Sequence, residues 1–370
     1  MIMDHRISSL IFILCIIGSM SGCVDWIADL DPLDTTVFEA SPTVISYDIQ
    51  YGYRVTHTGV GTGTILYRED IPGLVNGTIQ NLLILNDSTA ETLTTANNDM
   101  IEWNMSINDT QVHTLGLSAS VLARHYMIDD LLGSGALHRY EIQTMHPDII
   151  ETYCNPQGND TTWFIQPHDP VILELAQRLY NESGSENTLL IAKHIFSWLK
   201  QSTTYAAHPA QPYTQPATQT LHLKTGDCDD LSFLYLSLCR AVNIPARFVK
   251  GMLIENNDGA LSAIHHLWVE IFVGGDIGFD GWIPVECAGI GSVDHEIYQH
   301  FGVEDASHLR LFIDDGTNQS IKQSNNHINV YYQDSLQIQI NQYALIQNYS
   351  ILDSQQLCIS PLHRYLCKFI

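Results

Sequence analysis

Gly226-Asp227-Cys228-Asp229-Asp230-Leu231-Ser232, with the residues that follow to Gly251, decides the fold. Gly226 supplies backbone freedom for a turn. Asp227 is a suitable helix N-cap, and Asp229 and Asp230 suit the positive end of a first turn. Leu231, Leu234, Leu238 and Val242 recur at helical spacing, so the segment predicts an amphipathic helix. It stops near Asn243-Ile244-Pro245, because proline cannot continue a helix. A cysteine at a helix start ionises readily, since unpaired N–H groups and the dipole favour the anion. The three aspartates oppose that, so a histidine partner would matter more than the dipole. An isolated cysteine is more often a small buried hydrophobe.

Two later stretches shift that balance. His265-His266-Leu267-Trp268-Val269-Glu270-Ile271-Phe272 predicts a strand, with His266, Trp268 and Glu270 on one face and Leu267, Val269 and Ile271 on the other. After a Gly/Asp-rich turn from Gly274 to Gly281, Trp282-Ile283-Pro284-Val285-Glu286 predicts a short strand ending in a carboxylate. Cys228, His266 and Glu286 can meet as nucleophile, base and orienting acid, the set that thiol catalysis needs. His265 should point the opposite way from His266 and reads as structural.

Together with Arg240-Ala-Val-Asn-Ile-Pro-Ala-Arg247, these stretches resemble the core motifs of the transglutaminase-like superfamily, over roughly Pro167 to Glu286. The resemblance implies an α+β fold with a papain-type Cys-His-Asp core. It implies Cys228 as nucleophile and His266 as general base. Glu286 falls where the family usually has Asp and is one methylene longer. The implied chemistry is acyl transfer on a peptide, protein or carboxamide substrate: hydrolysis as a protease or amidase, or cross-linking with an amine acceptor. No cofactor and no metal are expected. Two competing expectations remain, a non-catalytic surface binding or adhesion module that keeps the fold, and a zinc site built from the same three side chains.

The rest of the chain sets the context. Its 370 residues are 45% apolar, with a mean hydropathy of −0.01, enough for two or three globular domains. Lys and Arg number 16 against 41 Asp and Glu, a net charge of −25. Such a surface repels nucleic acid and anionic membrane. Ile7 to Ile17 is an apolar run after Arg6, too short to span a bilayer, and reads as a signal-peptide core. Gly18-Ser19-Met20-Ser21-Gly22-Cys23 resembles a prokaryotic lipobox, which implies a lipid on Cys23 and a place on the extracytoplasmic face of the cell membrane. An uncleaved N-terminal anchor is the alternative. The expected organisation is a signal over 1–22, a tether over 23–42, a β-sandwich-like domain over 43–155, a transglutaminase-like catalytic domain over 160–310 and a β-strand extension over 311–370.

Eight Asn-x-Ser/Thr sequons, at Asn76, Asn86, Asn104, Asn108, Asn159, Asn181, Asn318 and Asn348, fit an exported glycoprotein. Of eight cysteines, Cys15 lies in the signal, leaving Cys154, Cys239, Cys287, Cys358 and Cys367 beside the lipid and nucleophile candidates. Cys358 and Cys367 are the easiest pair, and Cys239 belongs to the core.

Val44 to Val55 alternates apolar and polar residues as a half-buried strand. Thr64 to Tyr67, Leu82 to Leu85, Ile101 to Ile107 and Leu115 to Val121 repeat the pattern at hairpin spacing, which predicts a sandwich. Asp169-Pro170 caps a helix over Val171 to Tyr180 that stops at Gly184, and a second runs from Asn187 to Lys200. Tyr205 to Thr220 reads as a loop walling the cleft, with Gln215 or Gln219 as candidate oxyanion donors. Asp294, His295, Glu296, His300 and His308 lack metal-ligand spacing, so that segment is expected to be a solvated loop. Val330 to Ile340 reads as a closing strand or small sheet.

Overall fold

The alternation along Val44–Val55 becomes the middle of strand β1 (Thr36–Gly59). In this computed structural model residues 36–95, 97–154, 164–206, 214–289, 291–317, 320–321, 328–360 and 363–367 are described. The expected signal, Cys23, and the sequons Asn159 and Asn318 lie outside them. Pro42–Ser354 form one compact unit. In it β1 pairs antiparallel with β6 (Gln111–Arg124), bringing Tyr47 opposite Val121 and Tyr51 opposite Leu117. β6 also pairs with β3 (Gly77–Leu85). A second sheet joins β2 (Thr62–Asp70), β4 (Ala90–Thr94) and β5 (Asp99–Asn108). Alternate residues of both sheets, among them Ile45, Tyr51, Tyr67, Trp103 and Leu117, share one buried core. That is sandwich packing, since each sheet must bury one apolar face against another layer.

After the two-residue β7 (Tyr126–Met127) the chain turns helical. α1 (Arg139–Met145) and α2 (Pro147–Tyr153) precede α3 (Pro170–Ser183), which is capped by the Asp169 side chain and closed by Gly184 in the left-handed region. α4 (Thr188–Ser202) is capped by Asn187. β8 (Thr204–Tyr205) pairs in parallel with β9 (Thr225–Gly226). The stretch expected as loop up to Thr220 contains the start of α5 (Ala217–Leu223). α6 (Cys228–Ala241) carries the capping box Asp227/Asp230.

Another antiparallel sheet, separate from the two of the sandwich, follows in the order β12 (Trp282–Val285), β11 (Ala260–Phe272), β10 (Ala246–Asn257), β14 (His308–Ile313). Its helical side buries Leu267, Val269, Ile271, Ile283 and Val285 against α3, α4 and α6. Farther along the strands, Met252, Ile254, Leu309 and Leu311 join the core of the sandwich. The sheet is therefore held by the helical core along one stretch and by the sandwich core along the next, which fixes the strand that carries His266. Gly251 of β10 pairs with His266. A Cβ there would meet the Leu309 carbonyl at 1.9 Å, so only glycine admits β14.

The segment expected to be a solvated loop is ordered. It forms α7 (Val293–His300), β13 (Val303–Glu304), which pairs with β7, and then β14. Beyond it β15 (Ile328–Tyr332) adds to the second sandwich sheet beside β2. β16 (Leu336–Ile359) takes the place next to β1 in the first sheet. The chain returns to complete the module where it began. Separately, Gln355–Ile370 belong with the chain before Pro42, and there Gln356–Ile359 pair with β17 (Arg364–Cys367). Cys358 and Cys367 form a disulfide, with Cα atoms 6.1 Å apart. Among the described residues, no helix is long and apolar enough to cross a membrane.

Candidate active site

Cys228 is the first residue of α6, where the initial N–H groups have no partner within the helix. The turn before it is held by Asp230. Its carboxylate accepts the Gln215 backbone N–H at 2.6 Å, the Gln215 side chain at 2.7 Å and the Asp227 N–H at 3.3 Å. Gly226 serves this contact rather than a positive φ. A Cβ on it would lie 2.4 Å from the Asp230 Cβ.

Cys228 lines a cavity of about 170 Å³ together with His266 and Leu267. Asp229, Thr214, Lys250, His265, Phe233 and Ile321 complete its wall. Burial first, then the charges of Asp229 and Asp227, push the thiol up to about 12, against a hydrogen bond from the Leu267 backbone N–H. The resting sulfur is a thiol, and the helix dipole does not overcome its acidic flanks. Asp229 itself is pushed up to about 7, first by burial and then by sharing a hydrogen bond with Asp227.

His266 stands in the middle of β11, buried, with its Nε2 2.6 Å from Glu286 Oε2. Glu286 follows β12. Its other oxygen accepts the Ala288 N–H at 2.6 Å. Lys200 braces the following turn, donating to the Cys287 and Ala288 carbonyls at 2.7 Å and pairing with Glu296 at 2.8 Å. Burial alone would keep Glu286 protonated. The imidazoles of His266 and His308 overcome it and hold the carboxyl well below its usual range. An ionised Glu286 only accepts, so Nε2 carries the hydrogen, and in the neutral ring Nδ1 holds the lone pair. That lone pair is what a general base requires.

The strand face expected to carry His266, Trp268 and Glu270 leads into a buried ion network. Trp268 donates to Glu304 at 3.1 Å. Arg310 pairs with Glu304 and, at 2.6 Å, with Glu270, which Arg247 also meets at 2.7 Å. This network fixes the strand two residues from His266.

Sequence reasoning placed three side chains and missed a fourth. His308 is 4% exposed at the start of β14, with Nε2 3.3 Å from Glu286 Oε2. The only signal for it was a histidine in a polar segment, without ligand or helical spacing. The two glutamine candidates for the oxyanion do not serve. Gln215 is locked onto Asp230, Gln219 is exposed on α5, and neither lines the cavity. His265 also lines the cavity, and its Nε2 lies 2.7 Å from Gln342 Nε2.

Possible ligand atoms of His266, Glu286 and His308 lie within 4.8 Å of one another, as do those of His295, Glu296 and His300 and those of Asp227, Cys228 and Asp229. The 2.6 Å contact of His266 with Glu286 is a hydrogen bond, and Glu296 is already neutralised by Lys200. Of the described sequon asparagines, Asn104, Asn108, Asn181 and Asn348 are exposed, and Asn76 and Asn86 are partly buried.

Residues 174–287 match the profile of the transglutaminase-like superfamily. Among solved structures, a candidate cysteine protease from Cytophaga hutchinsonii is similar to this chain with a TM-score of 0.52 and 14% identity, covering 90% of this chain and 100% of that one. The periplasmic domain of TgpA from Pseudomonas aeruginosa gives a TM-score of 0.32 at 13% identity, over 64% of this chain and 86% of its own. No curated protein sequence matches the chain. The fold is an α+β one with a transglutaminase-like domain.

Proposed function

We propose that this protein is a cysteine-dependent acyl-transfer enzyme acting on peptide or carboxamide bonds, held outside the cytoplasm by a lipid on Cys23. One observation carries the catalytic reading: the 2.6 Å contact of His266 with an ionised, buried Glu286, in the cavity that Cys228 lines. In the proposed reaction Cys228 Sγ attacks the carbonyl carbon while His266 Nδ1 takes the thiol proton. A thiol pushed up to about 12 reacts this way rather than through a standing ion pair. The N–H of Cys228, free at the helix start, would meet the developing oxyanion. Collapse breaks the C–N bond, the amine leaves with the proton from His266, and a thioester remains. Water, deprotonated by His266, then releases the acid and restores the thiol. An amine in place of water would give a cross-link. Of these two outcomes, hydrolysis is the one proposed.

A Cys228→Ala variant should keep the far-UV spectrum and unfolding midpoint of the parent and lose labelling by a thiol-reactive amide probe. Undiminished labelling at the cavity rejects the enzyme. A second reading, a binding module that keeps the fold, has the raised thiol and its acidic flanks in its favour. An unreactive Cys228 with intact ligand capture would select it. For the tether, a Cys23→Ser chain should leave the membrane fraction and take up no fatty-acid label. Retention of the label would reject lipidation at Cys23.

A further inference from the structure

Glu286 Oε2 meets two imidazoles. His266 Nε2 approaches at 2.6 Å and His308 Nε2 at 3.3 Å. The other nitrogen of His308, Nδ1, lies 2.9 Å from Asp305 Oδ1, and that oxygen also accepts the Ser307 N–H at 2.9 Å. A carboxylate offers only acceptors. With one on each side, both nitrogens of His308 must carry hydrogen, and the ring is an imidazolium. Trp268 fixes the arrangement, with the His308 ring edge-on at 4.8 Å and the His266 ring stacked at 5.9 Å. The two imidazole centroids are 5.6 Å apart.

We infer that His308, gripped by Asp305, is a positioning residue for the thiol chemistry proposed above: it locks Glu286 in place and keeps His266 neutral and ready to accept a proton. The inference rests on that reading of Cys228 and His266. Two physical needs support it. Glutamate has one more rotor than aspartate, and bonds to both oxygens from His266, His308 and Ala288 remove that freedom. A cation behind the carboxylate also opposes a second cation at His266. Other titratable groups around the pair include His300 beside Glu286 and Asp305, Tyr205 and Cys287 beside Glu286, and His125 and Tyr349 beside Asp305.

The readout is the pH dependence of Cys228 alkylation by iodoacetamide, which requires no known substrate. His308→Gln keeps a donor toward Glu286 and removes the charge. His266 should then gain its proton at higher pH, moving the acidic limb of the profile up by about one pH unit with the plateau retained. Asp305→Asn weakens the grip on His308, and the limb should move the same way by less, because the Asp305 side chain is 44% exposed and screened. This second variant decides the matter if His308→Gln does not fold. Limbs that stay with the parent in every folded variant, while His266→Ala abolishes the limb, overturn the inference and spare the enzyme reading. If His266→Ala also leaves the profile unchanged, both fall.

Discussion

Two buried acidic sites within Pro42–Ser354 ionise in opposite directions. In the sandwich, Glu69 and Asp70 end β2. Burial first, with Glu69 acting on Asp70, pushes them up to about 7 and about 8. Tyr67 and the Asp70 N–H donate to Glu69, and Lys250 exerts only a weaker pull. In the transglutaminase-like half, Glu286 is just as buried yet falls well below its usual range, because His266 and His308 both bond to it. Desolvation is the largest influence in all three cases. What differs is whether a cationic donor touches the carboxylate. A carboxyl beside another carboxyl becomes a neutral donor at moderate pH, suited to holding strands. A carboxyl between two imidazoles is a permanent anion, suited to aiming a base.

The comparison is most exposed at Glu286. Glu286→Ala strands the His308 charge and the His266 N–H in a buried place. It should lower the unfolding free energy by about 3–5 kcal/mol in urea titration. A loss below about 1 kcal/mol would mean that the carboxylate is not the anchor described here.

The pH profile of stability sharpens the contrast. Glu69 and Asp70 keep protons that the unfolded chain has released, so their contribution fades as pH rises from their ordinary values, 4.5 and 3.8, through about 7 and 8. Glu286 acts the other way, contributing fully above 4.5 and losing that contribution as pH falls below it. His308, raised above its ordinary 6.5, adds to the decline on the alkaline side. The parent should be most stable near pH 5 and lose stability steadily toward pH 8 in urea unfolding. The smallest effect is that of Glu69→Gln at pH 5, where the native group is already neutral. That change should cost less than about 1 kcal/mol and flatten the decline toward pH 8. An unflattened slope would remove Glu69 from the account.

How much was legible depended on the range of the interaction. The Asp227 and Asp169 caps, the apolar stripe of α6 and the two faces of β11 are local features, set by near neighbours or by a repeat of 3.6 or 2 residues. They were readable from neighbours alone. The purpose of Gly226 was misread, because its requirement is the approach of the Asp230 side chain rather than a turn dihedral. Gln215 was misassigned because a side-chain amide that fits an oxyanion fits a buried aspartate equally well. The polar stretch around His295 and His308 looked solvated because nothing within it shows that Lys200 and Glu286 wait on other elements.

By itself the amino-acid order marked the helices over α3, α4 and α6 and most of the longer strands, and singled out three side chains with the chemistry of a thiol site. Residue type and periodicity are properties of the chain. Tertiary structure alone decided that β14 lies beside β10, with Leu253 opposite His308, and so delivers a second imidazole to Glu286. It also decided that β15 and β16 return to the first module. These placements follow from burying apolar faces of strands far apart in sequence, and that long-range pairing leaves no local period to read.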